Sequence, residues 1–343
     1  MLNVVHELSS LYGISGRENE VRQYILEQLK DAPAIREIRV DRMGNILVDL
    51  RGKQAAPHRV MFAAHMDEVG GMVTGITEDG YLRFATIGIS AEVLFARRVI
   101  INGHIGVIGG KAVHQCKGDE KTTVPSTDAM YIDIGAMSRE EAEQVVRIGD
   151  AICFIDGITT LGNGRFLEKA LDDRAGCAVL MKLAQTQPQY DVTIVFTVQE
   201  ECGVRGAGCA AFAVKPEIAV AVDVTTAGDI VDVAAEDQVC CIGDGPVVSF
   251  MDRGTIYDKP LFEEIFRIAR KHDISAQVKR AVTGGNDSRA MQTTGEGARV
   301  AAVSLPCRYL HSAVCMLDEK DITETYRLLE QLMNTLPAWD GAL

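Results

Sequence analysis

Thr193-Ile194-Val195-Phe196-Thr197-Val198-Gln199-Glu200-Glu201 is an apolar, β-branched run that stops abruptly at an amide and two carboxylates. A strand apolar along its whole length is buried on both faces, as in a parallel sheet covered by helices. Two other runs end the same way: Val60-Met61-Phe62-Ala63-Ala64 meets His65 and Asp67, and Ala219-Val220-Ala221-Val222 meets Asp223. Working outward, strands are expected over 38–49, 59–64, 192–198 and 218–222. Helices are expected over 173–185, 261–272 and 321–336, with an opening helix after Ser15 in which Val21, Ile25 and Leu29 recur at spacing four. This alternation predicts an α/β fold with a mostly parallel central sheet flanked by helices.

Between residues 70 and 160 the texture changes. An Asp79-Gly80 turn separates two strand-like runs, and 99–113 is interleaved with Gly103, Gly106, Gly109 and Gly110. One short helix is announced by a capping box of Ser138 and Glu141. A β-rich, barrel-like module therefore interrupts the α/β unit. The expected division is 1–68 with 162–343 for the α/β domain and 69–161 for the insertion.

The 343 residues are 47% hydrophobic and 24% charged, which excludes a disordered chain. Asp and Glu number 48 against 35 Lys and Arg, a net charge of −13 that argues against a nucleic-acid partner. The longest apolar candidate, 93–113, is broken by Arg97, Arg98 and His104, so no membrane span is expected. The opening residues lack the basic start and apolar core of a signal peptide. The nine cysteines are odd in number and form no C-x-x-C pair, as in a reducing compartment. A cytoplasmic location is expected, with Cys240 and Cys241 in a strand.

In open α/β sheets, sites form beyond the carboxyl ends of the strands. Besides the three strand ends, Leu171-Asp172-Asp173-Arg174 places two carboxylates at a helix start, and Arg308-Tyr309-Leu310-His311-Ser312 adds a second imidazole. Two imidazoles with several carboxylates suit zinc, cobalt or manganese. A metal pair about 3.5–4 Å apart needs a bridging carboxylate and separate terminal ligands. Asp172 is assigned as the bridge, His65 and Asp223 to one ion, Glu201 and His311 to the other. Successive residues of an extended segment point opposite ways, which leaves Glu200 as the general base. Asp67 is expected to accept the His65 ring N–H, and Asp173 to act as a helix cap or a supporting carboxylate.

At these segments, together with Gln199-Glu200-Glu201-Cys202-Gly203 and Val222-Asp223, the sequence resembles the tetrahedral (TET) aminopeptidases, the family of glutamyl aminopeptidases and proteins labelled endoglucanase-like. Their order matches as well, so the resemblance covers nearly the whole chain. It implies a zinc-peptidase-like fold, a co-catalytic metal pair with the ligands above, and Glu200 as the acid/base. It also implies a metal-dependent aminopeptidase that removes N-terminal residues from peptides with a water activated by the metal pair. The insertion would be a PDZ-like dimerisation domain, and dimers could assemble into a hollow dodecamer. The chain departs from the family pattern in three places. Asp172-Asp173-Arg174 stands where Asp-Asn-Arg is usual, Gly284-Gly285-Asn286-Asp287-Ser288 replaces Gly-Gly-Thr-Asp-Ala, and Gly295-Glu296-Gly297-Ala298 replaces Gly-x-Pro-Thr. These touch no ligand and bear on substrate preference. The alternatives are an N-acyl amino acid or dipeptide amidohydrolase with the same metal pair, and a metal-independent endoglucanase.

Overall fold

The computed structural model describes residues 1–155 and 157–341; the last two residues of the expected span 162–343 lie outside them. Eight strands form the main sheet: β1 (Ile35–Val40), β2 (Ile46–Leu50), β3 (Val60–His65), β4 (Val192–Thr197), β5 (Ile218–Thr226), β6 (Val247–Val248), β7 (Gln277–Val278) and β8 (Arg299–Cys307). Their spatial order is β1-β2-β4-β3-β5-β8-β6-β7. The four central strands run parallel, whereas β1, β2 and β6 pair antiparallel with their inner neighbours, so the sheet is mixed.

Both faces are covered, as the continuous apolar runs require. Phe62, Ile194, Phe196 and Val220 pack with the helix Leu171–Ala184 and with Ile265, Leu328 and Leu332 from two later helices. Met61, Ala63, Val195, Ala219 and Ala221 point the other way, onto Ala207, Ala210 and Met291. The small alanines let the helix Arg205–Val214 approach closely.

Six further strands between residues 70 and 154 close a barrel around Val73, Leu82, Val99, Ile101 and Ile132. Its first hairpin turns at Gly80, whose φ of +84° suits glycine. The short helix Arg139–Glu143 is capped as expected by Ser138, whose Oγ accepts from the Glu141 N–H. Glu141 returns the bond to the Met137 N–H at 2.8 Å instead of that of Ser138.

Several local expectations need correction. The run 38–49 is two strands, because the Asp41 carboxylate gathers the N–H groups of Met43, Gly44 and Asn45 into a turn. The opening helix is Leu2–Ser10; the helix after Ser15 begins only at Asn19, and the Ser15 hydroxyl donates to Asp67 instead of capping. Cys240 and Cys241 lie in an irregular segment, not a strand. The helix Arg205–Val214 and strand β8 were not expected at all. No helix among the described residues is long and apolar enough to cross a membrane.

The N-terminal segment is locked to the sheet by a buried ionic network. Arg174, with no exposed surface, donates to the carbonyls of Met66 at 2.8 Å and Leu8 at 2.6 Å and lies 3.4 Å from Glu68 Oε1. Lys169 Nζ holds Glu68 Oε2 at 2.8 Å and the Leu11 carbonyl at 2.7 Å. Removing one partner of a buried charged network leaves the others unpaired and costs about 3–5 kcal/mol. Arg174→Met is expected to lower unfolding free energy by about that amount in urea titration. A loss under about 1 kcal/mol, the range of exposed pairs, would contradict a structural role for the network.

Candidate metal centre

The central strands deliver their last residues to one edge. Thr197 pairs in register with His65, and Ala221 pairs with Ala63. With a side-chain period of two, Asp223 and His65 therefore fall on the same side at the same level. The Leu171–Ala184 helix starts at this edge, so Asp172 and Asp173 arrive from below. His311 arrives from the loop between β8 and the strand Cys315–Asp318, with a left-handed φ of +52°.

The predicted residues converge. His65 Nε2 lies 3.1 Å from Asp172 Oδ1 and 3.8 Å from Asp223 Oδ1. His311 Nε2 lies 3.5 Å from Asp172 Oδ2 and 3.5 Å from Glu201 Oε2. Asp172 thus turns one oxygen to each imidazole. Glu201 Oε1 is buried without a hydrogen-bond partner. His65, Asp172, Glu200, Asp223 and His311 all line one cavity of about 370 Å³.

Asp67 is held differently from the expectation. The His65 Nδ1 sits 3.0 Å from the Asp67 backbone carbonyl and 3.5 Å from its carboxylate. A carbonyl only accepts, so Nδ1 carries a proton and Nε2 is the nitrogen turned to Asp172, where a cation could replace its proton. The Asp67 carboxylate accepts instead from the backbone N–H of Glu200 at 3.0 Å, that of Glu201 at 3.1 Å and the Ser15 hydroxyl at 2.6 Å. It thereby fixes the turn after β4, in which Gln199 adopts φ +57°. Asp173 is fully buried, and its oxygens accept from the Gly176 N–H at 3.0 Å and the His65 N–H at 3.2 Å. It anchors both the helix start and the end of β3.

The electrostatics are those of an overloaded anionic site. Burial, then the charge of Asp172, pushes the carboxyls of Asp223 and Glu201 well above the ordinary range. Burial, with Asp223, Asp287 and Asp172, does the same to Glu200. Burial alone would depress His65, but its contacts with Asp172 and Asp67 outweigh that and hold it high. Asp172 moves the opposite way: burial would raise it, yet the two imidazoles keep it low. Clustered N and O donors with an unpartnered buried oxygen fit a divalent cation, which would relieve the repulsion. His65, Asp172 and Glu201 offer ligand atoms within 4.8 Å of one another, as do His65, Asp173 and Asp223.

Two structural groups were missed by sequence reasoning. Gly88, where the barrel meets the sheet, stands so close that an added Cβ would lie 2.7 Å from Glu201 Oε2. Asp287, buried and bonded at 2.5 Å to the Thr197 hydroxyl, adds another carboxyl beside Glu200. Only the Asp287 loop carried a sequence signal, as a departure from the family pattern bearing on substrate preference and not as a carboxyl beside Glu200.

A family model described as M42 glutamyl aminopeptidase matches residues 44–328. The chain belongs to this M42 family. A lysyl aminopeptidase of Pyrococcus furiosus is 35% identical to the M42 chain over 339 residues, 96% of this chain and 95% of that one. The structure of a TET aminopeptidase from a marine sediment thaumarchaeote superposes with a TM-score of 0.92 at 32% identity, covering 98% of this chain and 96% of that one. A Pyrococcus horikoshii TET1 peptidase that can assemble into a tetrahedron or a large octahedral shell superposes at 0.86 with 32% identity, covering 97% and 99%. The chain is a metal-dependent aminopeptidase, a hydrolase of the TET group.

Proposed function

We propose that this aminopeptidase works with two divalent cations, one held by His65, Asp172 and Asp223 and the other by Asp172, Glu201 and His311. The observation that carries the reading is the double presentation of Asp172, with Oδ1 3.1 Å from His65 Nε2 and Oδ2 3.5 Å from His311 Nε2. Each imidazole has a second carboxylate of its own, Asp223 or Glu201. Asp173 is left out because both its oxygens are taken by backbone N–H groups. Zinc suits this mixture of nitrogen and oxygen donors, and cobalt or manganese is accommodated. When bound, such a pair supplies Lewis-acid polarisation of the scissile carbonyl and a lowered pKa for the attacking water.

The chain's own residues do the rest. Glu200 lines the cavity beside the cluster, and its backbone is pinned by Asp67. A carboxyl whose proton affinity is raised by burial is suited to take the proton of water and pass it to the leaving amine. Asp67 is a positioning residue, since its oxygens accept from the backbone N–H groups of Glu200 and Glu201 and from the Ser15 hydroxyl. Peptides are the substrates, the crevice accepting the free N-terminus. The six-stranded barrel is read as a PDZ-like self-association domain spanning 69–161, and 1–68 with 162–343 as the catalytic domain. Dimers, and a hollow dodecamer, are the expected assemblies in the cytoplasm, a reading supported by the tetrahedron into which the TET1 relative can assemble. A metal-free endoglucanase gains no support, because its carboxylate pair would have no need of two imidazoles.

Glu200→Gln is expected to keep fold and metal content while turnover falls about 10²–10⁴-fold; near-normal turnover would remove Glu200 from the proton path. Asp172→Ala should release both ions together in elemental analysis, and one ion retained at full occupancy would contradict the bridge. Free-amine peptides should be hydrolysed and their N-acetyl counterparts spared. Rapid cleavage of N-acyl amino acids would favour the amidohydrolase alternative.

A further inference from the structure

The cavity beside the metal cluster holds one cationic side chain that the mechanism does not use. Lys279 follows β7 and continues its ladder, with its N–H donating to the Val248 carbonyl at 3.0 Å. It is buried, lines the cavity, and donates from Nζ to the Thr283 carbonyl at 2.8 Å. That bond uses one of the three ammonium hydrogens. Among the described residues no carboxylate forms an ion pair with it, and the negative charges acting on it are Asp252 and Asp223. Asp252 is committed elsewhere, to the Tyr257 hydroxyl and the N–H groups of Gly254 and Thr255. Asp223 faces His65.

A buried ammonium without an anionic partner is costly, and burial accordingly presses this one toward its neutral form. Around it the wall is mostly polar, with Thr225, Thr226, Thr283, Asn286 and Ser304 against only Val224 and Leu310, where a pocket for a leucine-like side chain would be mainly aliphatic. The loop that carries Thr283 is held in place: the Gly284 carbonyl accepts from the Arg253 N–H at 3.0 Å, and Asn286 Nδ2 donates to the Tyr257 oxygen at 3.1 Å. The cation is therefore presented by a fixed wall of the same cavity that the cluster lines.

We propose that Lys279 determines specificity, pairing with the side-chain carboxylate of the substrate's first residue, so that peptides beginning with glutamate or aspartate are preferred. This rests on the placement of the peptide N-terminus at the metal cluster. The test is kcat/KM of the metal-loaded, full-length enzyme for glutamyl-, aspartyl-, leucyl- and lysyl-p-nitroanilide, with Lys279→Met alongside. The wild type should favour glutamyl over leucyl by at least about tenfold and use lysyl least. Lys279→Met should reduce the glutamyl-to-leucyl ratio by at least about 30-fold, the loss of a charged hydrogen bond. Calorimetry on the wild type supplies a reading independent of turnover and of the variant's folding: free L-glutamate should bind more tightly than L-leucine. A wild type that prefers leucyl or lysyl substrates, or binds leucine more tightly, overturns the proposal. So does a Lys279→Met variant that loses activity on every anilide by one common factor, which would mark Lys279 as a counter-charge to Asp223. Failure of the metal and base assignments would show instead in the metal content of Asp172→Ala and in the turnover of Glu200→Gln on every substrate alike.

Discussion

Mutual repulsion among buried carboxylates is the constraint on which this structure turns. Asp172, Glu200, Glu201 and Asp223 crowd one crevice, with His65 and His311 as the basic groups in contact with them and Lys279 on the cavity wall. Two like charges about 4 Å apart repel by about 4 kcal/mol at an effective dielectric constant of about 20, so such a cluster needs protons or cations. The direction of every shift follows: the carboxyls of Asp223, Glu200 and Glu201 are driven up, while Asp172, facing both imidazoles, is held down. A fold that maintains this arrangement must be stiff elsewhere, and the stiffness comes from residues that never enter the crevice.

Asp67 and the Glu68–Lys169–Arg174 network supply that stiffness from adjacent positions on one loop. The first gathers the Ser15 hydroxyl and the backbone of Glu200 and Glu201. The second ties Leu8, Leu11 and Met66 behind it. Between them, the segment after β3 is bonded to the N-terminal helix region, to the turn after β4 and to the start of the Leu171–Ala184 helix. Charged side chains spent on backbone groups in this way fix geometry more than they add net stability.

Much of this was legible in the sequence because strand ends announce themselves. Runs such as 60–64 and 193–198 are apolar until the chain leaves the core, and the first polar residues beyond them fall at the crevice. Patterns without such contrast were opaque. The helix Arg205–Val214 is rich in alanine and glycine, which blurs any apolar stripe, and β8 contains Pro306 near its end, which weakens a strand reading. Asp41 and Gly44 did carry a turn signal, overridden by the apolar residues on either side. The role of the Asp67 carboxylate depends on Glu200 and Glu201, more than a hundred residues on, and the isolation of Lys279 on where folding leaves Asp223 and Asp252; no local spacing encodes either.

The residues around the cluster are drawn from nearly the full length of the polypeptide, from His65 on β3 to His311 in the loop ahead of the strand Cys315–Asp318. On the proposed ligand assignment, a chain emerging from the ribosome has an incomplete centre until His311 and the following strand have cleared the exit tunnel. Any copy that stops short of His311 is then proteolytically silent, and peptide-cleaving capacity arises only after that residue has been made and folded into place.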